Sequence, residues 1–144
     1  MTLATELTTD PLSRGYAQLI PDSPGVLADM MNAQIYSMPK ETRVSARGVL
    51  AAYGAAGATI LDKLEAVSGS VSSVKWAFNF LKTDSGIDVG HPVTRGLLDQ
   101  LAASGVLTTA EAQMVKDMAL QPASRADILG LPYVREADIR SALA

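Results

Sequence analysis

The sequence has no cysteine and one histidine, His91. The first absence excludes a disulfide framework, a thiolate metal site and a cysteine nucleophile together, and accords with synthesis in a reducing cytoplasm. The second leaves acid–base chemistry a single side chain that ordinarily titrates near neutrality. Charge is scarce as well: 19% of residues are charged, against roughly a quarter in soluble domains. The net charge is −3, and Lys and Arg are scattered, so no stretch carries the basic footprint of a nucleic-acid partner. No apolar run approaches the roughly 20 residues that span a bilayer. The opening Met1-Thr2-Leu3-Ala4-Thr5-Glu6 lacks the basic and apolar parts of a leader, so the expectation is a chain neither exported nor membrane-spanning.

What is present is apolar and helical. Apolar residues make up 48% of the 144, and mean hydropathy is positive. The length suits one domain with a real core. Two readings fit this excess: a surface partly covered by partners, or an Ala-rich helical monomer with a large core. Stretches of period-two alternation are too short to argue for a sheet, while Gly, Pro and Ser/Thr punctuate segments of helical period. The expectation is an all-α, compact single-domain bundle of about six to eight short helices over residues 23–144, preceded by an N-terminal arm or docking segment over residues 1–22.

Individual signals place the helices. Ser23-Pro24 reads as a cap and first helical position before the stripe Val26, Leu27, Met30, Met31 and Ile35. Ser45 opens a segment through Tyr53 with Val49, Leu50 and Tyr53 inward, and Ile60, Leu61, Leu64 and Val67 share one face of the next run. In Val74–Lys82 only Lys75, Asn79 and Lys82 are polar, which predicts a central core helix carrying Trp76, Phe78 and Phe80; the rival reading is an exposed aromatic face. Pro92 opens a helix bearing Val93, Leu97, Leu98 and Leu101. Thr108 with Glu111 has capping-box spacing, and Ser124 with Asp127 repeats it before a last helix near Arg135–Leu143. There is no fixed-period repeat and no heptad pattern.

Catalytic signals are weak throughout. Asp84 and Asp88 near His91 form a loose cluster, but its spacing matches no EF-hand loop, and the aspartates read better as turn formers. Gly54, Gly57, Gly69, Gly86 and Gly90 make neither a phosphate loop nor a dinucleotide fingerprint. No Ser lies in a nucleophile-elbow context. Arg125, Arg135 and Arg140, interleaved with Asp127, Glu136 and Asp138, read as a mixed, solvated face. The expectation is a protein that is not an enzyme, with no catalytic residue, metal or cofactor.

The two ends carry a pattern. Near the start, Asp10-Pro11-Leu12-Ser13-Arg14-Gly15-Tyr16 follows a short Leu/Glu segment; near the end stands Ser124-Arg125-Ala126-Asp127-Ile128-Leu129-Gly130-Leu131. Together they resemble the opening and closing motifs of a group of small virion-associated structural proteins of tailed bacteriophages, over about a quarter of the chain. The resemblance implies a virion component made in the host cytoplasm, in the tail or head–tail region, acting through protein–protein contacts. A capsid decoration or cement protein is the alternative. Its implied partners are other virion structural proteins and copies of itself, with no nucleic acid, membrane or small-molecule substrate. A small helical DNA-binding or regulatory module is the rival class, and would need a helix rich in groove-reading Arg, Lys, Asn and Gln, which no segment supplies.

Interaction residues follow from the residues themselves. Leu3, Leu7, Leu12 and Tyr16, with Arg14 among them, are anchors on short pieces that are stable only when docked, either on the chain's own domain or on another subunit. Trp76 and Phe80 are the aromatic candidates on the Val74–Lys82 helix.

Overall fold

The computed structural model describes all 144 residues. The elements in chain order are α1 (Leu3–Thr9), a 3-10 turn (Tyr16–Leu19), α2 (Pro24–Asn32), β1 (Tyr36–Pro39), β2 (Arg43–Val44), α3 (Ala46–Tyr53), α4 (Ala55–Ser68), α5 (Ser72–Leu81), β3 (Ile87–Asp88), α6 (Pro92–Ala103), α7 (Thr109–Asp117), β4 (Leu120–Ala123), α8 (Arg125–Ile128) and α9 (Glu136–Ala142). The class is helical, as expected. Residues 23–144 hold eight helices, within the six to eight expected there, and α1 lies in the N-terminal segment; two small sheets accompany them, β1 with β4 and β2 with β3. Strands of two to four residues are too short for alternation to register, and their partners are remote in sequence.

The chain divides into two compact units, residues 1–38 with 122–144, and residues 39–121. The first 22 residues, expected as an arm on a 23–144 domain, therefore belong with both 23–38 and the C-terminal end. No periodicity announces this, because the two halves of the first unit are far apart in the chain.

In the first unit, Thr2 caps α1 by accepting the N–H of Thr5 at 3.1 Å, a contact worth about 1 kcal/mol. Asp10 ends the helix in the left-handed region, at φ 44°, and its carboxylate accepts the N–H groups of Arg14 at 2.7 Å and Gly15 at 2.8 Å. Burial acts upward on this carboxyl, but the backbone donors and the Arg14 guanidinium outweigh it and hold its pKa below the usual 3.8. The core joins Leu7, Tyr16, Leu27, Met31, Val134 and Ile139. Asn32 clamps α2 to the segment before α9, donating to the Val134 carbonyl at 2.7 Å and accepting the Val134 N–H at 2.9 Å. The expected stripe on α2 holds only for its middle: Val26 and Ile35 are exposed, and Ile35 lies beyond the helix end.

In the second unit, α3 to α7 close around Val49, Ile60, Val74, Phe78, Leu98 and Leu107. Ser45 caps α3 through the Gly48 N–H at 3.1 Å. The capping box of α7 is complete, and its Glu111 also accepts Lys63 Nζ at 2.6 Å. The Lys63 bond, with the Thr108 N–H, holds the Glu111 carboxyl below its ordinary value. Tyr53 Oη donates to the Met114 carbonyl at 2.6 Å. Leu50, expected inward, is exposed, and so is Val93 on α6.

β2 pairs antiparallel with β3, Arg43 opposite Asp88 and Val44 opposite Ile87. Asp88 Oδ1 accepts the N–H groups of Thr42 and Gly90, each at 2.9 Å, which lowers its pKa against the pull of burial. Gly90 sits so close to Lys40 that a Cβ there would collide with the Lys40 carbonyl oxygen. Backbone cannot step aside as a flexible side chain does, so Gly90→Ala is expected to destabilise the chain by about 1–3 kcal/mol. Urea unfolding followed by circular dichroism checks this, and an unchanged midpoint would contradict the close approach.

Candidate interaction surface

Helix α5 carries two apolar faces. Val74, Phe78 and Leu81 are buried in the second unit's core. Trp76 is 60% exposed and Phe80 56% exposed. The expectation of a central core helix is thus corrected. An apolar ring around a helix shows that two faces are apolar, but not that neighbours cover both, and α4 and α6 leave the outer face of α5 open. Beside it on α6, Val93 is 74% exposed.

Trp76, Phe80, Val93, Leu97, Ile87 and Gly96 line a groove of about 470 Å³ between α5 and α6. Its remaining lining, Ser73, Ala77, Thr94 and Gln100, is uncharged. The volume lies within the range of ligand clefts, which typically combine apolar walls with a few convergent polar groups. Here the walls are open and aromatic, as in surfaces that receive side chains from another protein. Two lysines stand along the same helix: Lys75 Nζ lies 5.7 Å from the centroid of the Trp76 ring, and Lys82 Nζ lies 5.0 Å from that of Phe78. Deeper in this unit, Val49, Ile60, Leu64, Phe78 and Leu98 surround a small apolar cavity of about 40 Å³, far below the size of a ligand pocket.

The N-terminal candidates are placed otherwise. Leu7 and Tyr16 are fully buried in the first unit, and Leu3 packs against that core, so this segment docks on its own chain. Leu12 is exposed at the turn after α1. Arg14 donates from Nη1 to the Met30 carbonyl at 3.0 Å, and its guanidinium lies 5.8 Å from the Tyr16 ring and 5.5 Å from the Tyr36 ring. Four of these residues therefore build the first unit, Leu12 is exposed, and Trp76 and Phe80 form a surface in the second.

The structure adds a pair that sequence reasoning missed. Glu6 is 0% exposed, and its two carboxylate oxygens receive Arg125 Nε at 2.7 Å and Nη2 at 3.0 Å. Tyr16 Oη donates to Glu6 Oε1 at 3.2 Å. The Glu6 bond holds the Arg125 pKa above its ordinary value, and burial, first among several causes, pushes the Tyr16 phenol up. Arg125 thus leaves the solvated face assigned to it and joins the opening and closing motifs in one fold element. The available signal was the occurrence of Glu6 and Arg125 in the opening and closing segments that carry the end motifs.

The motifs' other positions have structural roles as well. Gly15 and Gly130 adopt positive φ, 83° and 70°, and Ser124 and Asp127 complete a capping box on α8. His91 caps α6, its Nδ1 accepting the Val93 N–H at 3.1 Å. No helix is long and apolar enough to cross a membrane. Comparisons with protein-family models, with curated proteins and with solved structures find no match to this chain.

Proposed function

We propose that this protein is a structural component of a tailed-bacteriophage virion, placed in the tail or head–tail region, that works by protein–protein contact and without catalysis. It is made in the host cytoplasm and incorporated into the particle, with other virion proteins as partners and further copies of itself as neighbours. The observation that carries the contact reading is the groove of Trp76, Phe80 and Val93: large apolar side chains clustered at a surface mark protein interaction sites. The setting rests on the resemblance of the two end motifs, which in this chain meet through Glu6, Tyr16 and Arg125.

The test is mass spectrometry of purified particles, followed by chemical cross-linking. The protein is expected in the particles, with cross-links running from residues beside the groove. Its absence from particles that are otherwise complete would sink the proposal.

A further inference from the structure

We propose that the small cavity inside the second unit, beneath the groove, is a binding site for one compact apolar molecule, of the class of dissolved gases and the shortest hydrocarbons. The inference goes beyond the contact reading above and does not depend on it. Every helix from α3 to α7 contributes to the walls: Val49 from α3, Ile60 from α4, Val74 from α5, Leu98 from α6 and Val115 from α7.

The volume of about 40 Å³ exceeds the roughly 10–15 Å³ that one water requires. Size therefore admits water, and chemistry decides against it. A buried water is typically held by about two to four polar partners. Thr94 brings the one polar side chain among the lining residues, and no buried side-chain nitrogen or oxygen is left without a hydrogen-bond partner. A water placed there would exchange its bonds in bulk solvent for one hydroxyl at most. Apolar cavities of this kind stay dry, and the side chains around them have no atoms to touch on the empty side. An apolar guest restores those contacts and gives up no hydrogen bond of its own.

The same volume limits the guest. An apolar cavity of about 150 Å³ takes benzene, and this one, at about a quarter of that size, takes a single xenon atom or a molecule of a few atoms. A route inward is present as well. Ala77, Ile87, Thr94 and Leu97 line both the cavity and the groove, so one layer of side chains separates the two. All four are half-buried, facing the core on one side and solvent on the other. Ala77 and Thr94 are short, and rotamer changes of Ile87 and Leu97 are the motion that opens the layer without unfolding the helices.

Xenon is the probe. The full chain, with isotope-labelled methyl groups, is followed by nuclear magnetic resonance as xenon pressure is raised. Methyl signals of Val74, Leu98 and Val115 are expected to shift along a saturating curve, while those of Val26 and Ile128, exposed in the other unit, drift linearly. Val74→Ile places one more carbon in the space and should weaken xenon binding about tenfold or more, since a filled site takes further volume only with strain. Its melting temperature should hold or rise, because the added group fills a void. Val115→Ile repeats the test from a second wall.

Linear drift at every methyl alike would overturn the site. Saturating shifts at Val93 on the groove, with none at Val74, Leu98 or Val115, would move the guest out of the cavity and equally overturn it. Cross-peaks between water and the Val74 or Val115 methyls would show the cavity wet, against its dry lining. If both isoleucine variants melt earlier or fail to fold, the space is not there and the proposal falls.

Discussion

Replacing Arg125 by methionine is expected to destabilise the unit of residues 1–38 and 122–144 by about 3–5 kcal/mol, because it leaves the fully buried Glu6 carboxylate without its cation. Tyr16 Oη still donates to Glu6 Oε1, yet this donor carries no positive charge, and the two-point contact with the guanidinium is lost. The effect should be strongly non-additive. Glu6→Leu combined with Arg125→Met removes both charges, and is expected to recover most of the loss, since apolar replacements for a buried pair are often neutral or better. Urea unfolding of the two single variants and the double gives the coupling. Additive losses would show that the pair is not buried as described. Deleting residues through Tyr16 should likewise unfold this unit rather than detach an arm, since Leu7 and Tyr16 are core residues.

The second large expectation contrasts neighbours on α5. Phe78→Ala removes a buried ring beside the apolar cavity and should cost about 3–5 kcal/mol. Phe80→Ala, two positions on, removes an exposed ring and should change stability by no more than about 0.5 kcal/mol. On association the order reverses. Trp76→Ala and Phe80→Ala should each weaken binding to the groove's partner by about 2 kcal/mol or more, as truncated aromatic anchors do, while the folded chain keeps its melting profile. Thermal unfolding, together with recovery of each variant in purified particles, separates the two effects. A Phe80 variant that is as unstable as the Phe78 variant would place both faces of α5 inside the fold.

Local structure was legible wherever its cause is local. Ser45, Thr108 with Glu111, and Ser124 with Asp127 announce helix starts because a cap needs only a side-chain oxygen and an N–H three residues away. Pro92 marks a helix start for a similarly local reason. Buried Ile60 and Leu64, with Val67 packed against the core, also follow from helical period. Asp88 is a turn former in the structure as its residue type suggests, holding Thr42 and Gly90 N–H groups.

Features that depend on distant partners were not legible. Strands β1 to β4 are shorter than any pattern that could reveal them. The candidate surface was half legible: the composition of α5 named Trp76 and Phe80, but their exposure depends on where α4 and α6 stop covering the helix. Arg125 looked solvated because its sequence neighbours are acidic, whereas its partner lies at the other end of the chain.

The sequence by itself determined a helical chain, the caps that begin several of its helices, the lack of cysteine with a single histidine, and the aromatic content of one helix. Each of these is set by composition or by neighbours within one or two turns. Only the tertiary structure decided that two units share the chain, that the ends meet over Glu6 and Arg125, and that the apolar ring of α5 is half core and half surface. The reason is physical: burial and ion pairing depend on which elements pack together, and helical periodicity says which side of an element is apolar without saying what, if anything, lies against it.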